Sequence, residues 1–158
     1  MMRKYTTFAA AIMLTAGLAT VAEAADFSKQ IKARQSVMQL YAFNMGQLGA
    51  MAKGETAYDA AAAKGAAGNI LAVSKLYGGA MWPKGSDNTV PGLENATRAK
   101  PENWTNYPKA KEAHMNLVAA AETLAAEAGN SLDALKANIG AAGEACGACH
   151  KPFRAPKQ

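Results

Sequence analysis

From Leu132 onward the apolar side chains of this chain recur at Leu132, Leu135, Ile139, Ala142, Cys146 and Cys149, spaced three, four, three, four and three residues apart. Only a helical period keeps such positions on one face, so the segment reads as a long amphipathic helix with a seam to bury. Ser131 can cap its start. The same period recurs upstream. Ile31, Arg34, Met38, Tyr41, Met45 and Leu48 align in a first helix from about Ser28 to Ala52, with Arg34 the lone charge of the stripe. Beyond the break at Lys53-Gly54-Glu55, Ala62, Ala66, Ile70, Val73 and Tyr77 mark the buried side of a second helix, Tyr58 to Tyr77. His114, Leu117, Ala121, Leu124 and Ala128 do the same for a third, Thr105 to Ala128, which Gly129 closes.

Alanine is abundant, β-branched residues are sparse and no stretch alternates with period two, so the fold class is all-α. Gly78 to Asn103 is rich in Gly, Pro, Asn, Ser and Asp and forms one long loop between helices 2 and 3. A segment of that length needs anchors in a compact domain, and Trp82, Leu93 and Trp104 are the residues able to tuck inward. Four amphipathic helices with two tight connections and one long one make an antiparallel four-helix bundle.

The N-terminus carries an address. Arg3 and Lys4 precede a small, apolar stretch from Phe8 to Val21, and Ala22-Glu23-Ala24 matches a signal-peptidase site. Residues 1–24 therefore read as a signal peptide and residues 25–158 as a single exported domain. The stretch is too short and interrupted for a membrane span, and no second one follows. Without Arg3, Lys4 and Glu23 the formal charge falls from +5 to +4. The remaining lysines are scattered singly, with no basic run or interleaved aromatics, so nucleic acid is excluded as a partner.

Chemistry concentrates at Cys146-Gly147-Ala148-Cys149-His150, a C-x-x-C-H pattern. Thiols at i and i+3 of a helix are neighbours and can reach the two vinyl groups of one porphyrin, while the imidazole at i+4 swings over the iron. A thioredoxin-like pair needs a βαβ context, absent from this pattern. Structural zinc needs four ligands, whereas the chain has two cysteines and two histidines, with His114 far from the motif. A single covalently bound haem c, attached through Cys146 and Cys149 and ligated by His150, is the reading that remains. His114 itself reads as a core or boundary residue of its stripe rather than a second axial ligand.

These residues resemble the class II c-type cytochromes, cytochrome c′ and the low-spin c-556 kind. The resemblance rests on Ala145-Cys146-Gly147-Ala148-Cys149-His150-Lys151-Pro152-Phe153-Arg154, on Ala33-Arg34-Gln35-Ser36-Val37-Met38, and on Ala52-Lys53-Gly54-Glu55 before Tyr58-Asp59. It spans essentially the whole mature chain. It implies a periplasmic haem protein whose first helix faces the iron opposite His150, with Met38 over the distal side. In c-556-like members a methionine there resembles a sixth ligand, giving a low-spin electron carrier; in c′-like members it only fills space beside an iron that binds nitric oxide or carbon monoxide. The same resemblance sets Tyr41 in the distal lining and Arg154 near the proximal imidazole.

Two positions carry their own physics. Arg34, one turn before Met38, either pairs with a haem propionate or is an exposed surface arginine. Pro152 has no N–H and disfavours a helical Lys151, so the last helix kinks or ends there, which bears on where Arg154 lies. The expectation is thus a periplasmic monohaem cytochrome acting in electron transfer with redox partner proteins, not an enzyme, and able to pair as a homodimer. Gas binding at a five-coordinate haem is the alternative. A haem peroxidase is the weaker third, because it would need distal acid–base groups that an apolar first-helix face lacks.

Overall fold

The computed structural model describes residues 26–157. The signal segment, residues 1–24, lies outside them. The described chain forms α1 (Ser28–Lys53), α2 (Ala60–Ser74), a 3-10 turn (Gly79–Met81), a one-turn α3 (Glu102–Thr105), α4 (Tyr107–Glu127) and α5 (Leu132–Phe153). Among these residues there is no strand, only an isolated antiparallel bridge between Ala99 and Arg154. None of the helices described is long and apolar enough to cross a membrane.

The four long helices close a ring, α1 on α2, α2 on α4, α4 on α5, and α5 back on α1. The last of these contacts is the sparsest among them. Leu48, Ile70, Leu124 and Leu135 are fully buried at the centre, interleaved with Ala63, Ala66, Ala67, Ala121, Ala128 and Ala142. Alanine at the contact positions lets the helices approach closely, so a few large side chains suffice to fill the core.

Local chemistry sets the ends. Asp59 accepts from the Ala62 amide at 2.8 Å and Ser131 from the Ala134 amide at 3.0 Å, so both α2 and α5 begin on side-chain caps. Gly54 ends α1 with φ +77°, a left-handed conformation that releases its amide to Met51 O at 3.1 Å and lets Glu55 donate to Ala50 O at 2.9 Å.

Several expected boundaries shift. Tyr58 stands before α2 rather than in it, and its hydroxyl donates to Ala128 O at 2.9 Å, capping α4 from a different part of the chain. Tyr77 lies past the end of α2 and is 88% exposed, and Ala63, not Ala62, is buried. In the first half of α4 it is Ala113 that is buried, while His114 faces out. Gly129 has no positive φ; it is small because a Cβ there would come within 2.8 Å of Lys64 Cβ and 3.2 Å of Ala60 O. It seats the α4–α5 turn against α2.

The long connection between α2 and α4 is pinned at several points. Trp82 and Trp104 meet with ring centroids 6.0 Å apart, and Trp104 Nε1 donates to Trp82 O at 3.0 Å. Both tryptophans and Leu93 are partly buried, as a loop of this length requires.

Candidate haem site

α5 carries Cys146, Cys149 and His150 in its last two turns. Both thiols are free, and all three side chains are partly buried. Burial pushes both thiols upward in pKa, with the nearby Cys146 sulfur adding to the rise at Cys149 and Arg154 opposing it. Both therefore stay protonated at neutral pH. Burial also lowers the pKa of His150, and the guanidinium charges of Arg154 and Arg98 lower it further. The imidazole is held neutral, the form that offers a nitrogen lone pair to a metal.

The setting fits a haem. Among the described residues no group of three or more His, Cys, Asp or Glu side chains could hold a bare ion, so iron bound by His150 would need the remaining ligands of a porphyrin. Gly147, between the cysteines, has no side chain and a Cβ there would meet nothing within 4 Å, so no neighbouring side chain crowds that position of the motif.

Across from the motif lies α1. Burial, with the Cys146 sulfur nearby, pushes the Tyr41 phenol up to about 12. Tyr41 is thus half-buried and within electrostatic reach of Cys146. Met38 is one turn earlier on the same helix and 41% exposed, so it is not committed to the core.

Arg34 is not a surface arginine. It is 4% exposed, Nη1 donates to Ser86 Oγ and Nη2 to Ser86 O, each at 2.9 Å, and its guanidinium carbon lies 4.6 Å from the centroid of the Trp82 ring. Burial lowers its pKa and the charge of Asp87 offsets part of that. Asp87 is itself buried, accepting from Thr89 N at 2.9 Å and Thr89 Oγ1 at 2.6 Å. Two of the five guanidinium donors are thus spent on the loop, and the rest are left for another acceptor.

α5 does not end at Lys151 but runs through Pro152 to Phe153, where Arg154 turns extended and its amide donates to His150 O at 3.1 Å. The backbone of Arg154 is thus fixed one turn past His150, and its charge is felt at the imidazole. The loop then pairs with the chain end. Ala155 N donates to Arg98 O at 2.8 Å and Lys100 N to Phe153 O at 3.0 Å. Arg98 Nε reaches Ala155 O at 2.8 Å, Lys100 Nζ reaches Pro152 O at 3.0 Å, and Asn103 Nδ2 reaches Phe153 O at 2.8 Å. None of Ser86, Asp87, Arg98, Lys100 and Asn103 stood out in the sequence, since each acts on a residue some fifty positions away and no local period marks them.

A profile described as Cytochrome C' matches residues 29–154. Cytochrome c-554 of Cereibacter sphaeroides is 33% identical over 97% of this chain and 98% of its own length. A solved cytochrome c′ described by an unusual ligand-controlled dimer dissociation superposes with a TM-score of 0.75 at 33% identity, covering 84% of this chain and 98% of that one. A nitric oxide complex of a cytochrome c prime variant from Alcaligenes xylosoxidans superposes with a TM-score of 0.70 at 31% identity, over 85% and 100% of the two chains.

Proposed function

The chain belongs to the cytochrome c′ family, whose members carry a covalently attached haem c, and from that premise we propose that it is a periplasmic monohaem electron carrier. Cys146 and Cys149 hold the haem by thioether bonds and His150 ligates the iron. The observation that carries the reading is two free thiols and an imidazole held neutral on one face of α5, in the helix that packs back on α1.

When bound, the haem supplies a one-electron iron couple. This chain's residues bind and tune it. Cys146 and Cys149, both free, would hold the haem by adding their S–H bonds across its two vinyl groups. Neutral His150 would hold the iron through its ring nitrogen, and the cationic charges of Arg98 and Arg154 near it would favour the reduced state. Met38 is free to offer its thioether as sixth ligand. The enzyme reading is weak because the α1 groups nearest the site are no acid–base pair: Arg34 is tied to Ser86, and Tyr41 keeps its proton to about pH 12. Gas binding is the second reading, favoured by the relative that holds nitric oxide. In it Met38 stands aside and the distal position stays open.

Pairing with a second copy also belongs to the proposal. From Met38 to Ala52 α1 carries no charged residue, and Phe43, 67% exposed, stands beside an open hollow of about 670 Å³ lined by Gly46, Ala50, Met51 and Ala62. Knob and socket on one face suit a two-fold pair.

The test is the mass and the ferric and ferrous spectra of mature protein made in a host that assembles c-type cytochromes, with and without carbon monoxide. The expected result is the added mass of one porphyrin and a low-spin spectrum, indifferent to carbon monoxide, that Met38→Ala converts to high spin. A high-spin wild type that shifts with carbon monoxide replaces the carrier by the gas binder. A colourless protein overturns both.

A further inference from the structure

We infer that Lys100 and Asn103 are positioning residues for His150, reaching from the long loop to hold the last turn of α5. The inference rests on the haem reading above. It starts from a defect in that turn. Pro152 sits inside α5 and has no N–H, so the carbonyl of Ala148, one turn earlier, loses its helical donor two residues before His150. The carbonyls of the final turn are orphaned in any helix. A turn with both weaknesses is a poor platform for a side chain that must meet a metal at fixed geometry, unless something outside the helix supports it.

The loop supplies that support. Lys100 Nζ donates to Pro152 O at 3.0 Å, and Phe153 O accepts twice, from Lys100 N at 3.0 Å and Asn103 Nδ2 at 2.8 Å. Two carbonyls, two and three residues past His150, thus receive three donors from residues some fifty positions away. Asn103 also donates to Lys100 O at 2.8 Å, and Lys100 Nζ pairs with Glu102 Oε1 at 3.2 Å, so the donors are themselves held in place. An ammonium at the C-terminal end of α5 also matches the negative end of its dipole. The loop does not float: Trp104, next to Asn103, bonds Trp82, and Trp82 lies under Arg34 of α1. The turn that carries His150 is therefore referenced to the opposite wall of the site through the loop.

The experiment compares haem-bearing wild type with Lys100→Met, Asn103→Leu, Lys100→Arg and, as a control, Lys109→Met at the exposed start of α4. Hydrogen exchange reads the amides of Arg154 and Ala155; the midpoint potential and the hyperfine-shifted ring resonances of His150 read the ligand. Lys100→Met and Asn103→Leu should speed exchange at those two amides about tenfold, as expected for one lost hydrogen bond from a charged donor or to a doubly used acceptor, and move both His150 signatures. Lys100→Arg should restore them and Lys109→Met should change nothing. Faster exchange with unmoved His150 signatures would reduce the contacts to a tether of the chain end and overturn the inference, as would no change in either. A wild type lacking porphyrin mass fails the haem reading itself, and this role with it.

Discussion

The guanidinium of Arg34 lies over the indole of Trp82, 4.6 Å from its centroid, and both its bonds to Ser86 draw the same loop against α1. A planar fork stacked on a ring and bonded at two nitrogens is a role that lysine cannot fill. Arg34→Ala removes the stack, leaves Ser86 O without this donor and takes away a cation that faces the buried Asp87. It should cost about 2–4 kcal/mol. Arg34→Lys keeps the charge and should lose roughly half as much. Urea unfolding monitored by helical circular dichroism measures both.

The helices were legible because their buried faces repeat locally. The seam from Leu132 to Cys149 spans α5, and the stripe from Ile31 to Leu48 lies within α1, each set by side chains within one turn of the next. Arg34 was visible as an odd charge in that stripe, but its partner Ser86 is in a loop without periodicity, so burial could not be read from spacing. His114 failed for a different reason. It and Ala113 both fit the register that leads to Leu117, and where helices pack closely the smaller residue goes inside. Pro152 marked the helix end to within a residue, since α5 stops at Phe153, but the contacts that Lys100 and Asn103 make to Pro152 O and Phe153 O had no local signal.

Tyr41 makes stability depend on alkaline pH. In the haem-free chain its phenol titrates at about 12, against an ordinary value of 10.0, because burial, and then the free Cys146 sulfur, disfavour phenolate. Between these values the folded chain keeps a proton that the unfolded chain has released, so stability falls as pH rises through the window and is intact below it. Wild type should lose stability across pH 10 to 12 more steeply than Tyr41→Phe, by urea midpoint at each pH. Parallel curves would mean that the phenol is solvated.

Gly129 and Gly140 should respond oppositely to alanine. A Cβ at Gly129 would meet Lys64 Cβ at 2.8 Å and Ala60 O at 3.2 Å, both attached to the α2 backbone, so Gly129→Ala must push α2 away. It should cost about 1–3 kcal/mol. Gly140 is exposed inside α5 with nothing within 4 Å of its would-be Cβ, so Gly140→Ala gains helix propensity, about 0.5–1 kcal/mol. Thermal unfolding of the two variants beside wild type should bracket it.

Phe43 decides whether copies pair through α1. A two-fold contact on the uncharged face buries this side chain twice, once in each direction. Burying one phenylalanine contributes about 2 kcal/mol, so Phe43→Glu should weaken a dimer by at least the doubled amount, a rise in Kd on the order of a thousandfold. Sedimentation velocity across a dilution series reads this directly. The wild type should show a concentration-dependent dimer and the variant a monomer, whereas Lys136→Glu on the exposed side of α5 should leave pairing unchanged. A dimer that survives Phe43→Glu uses another face, and the bare stretch from Met38 to Ala52 would then have a different occupant.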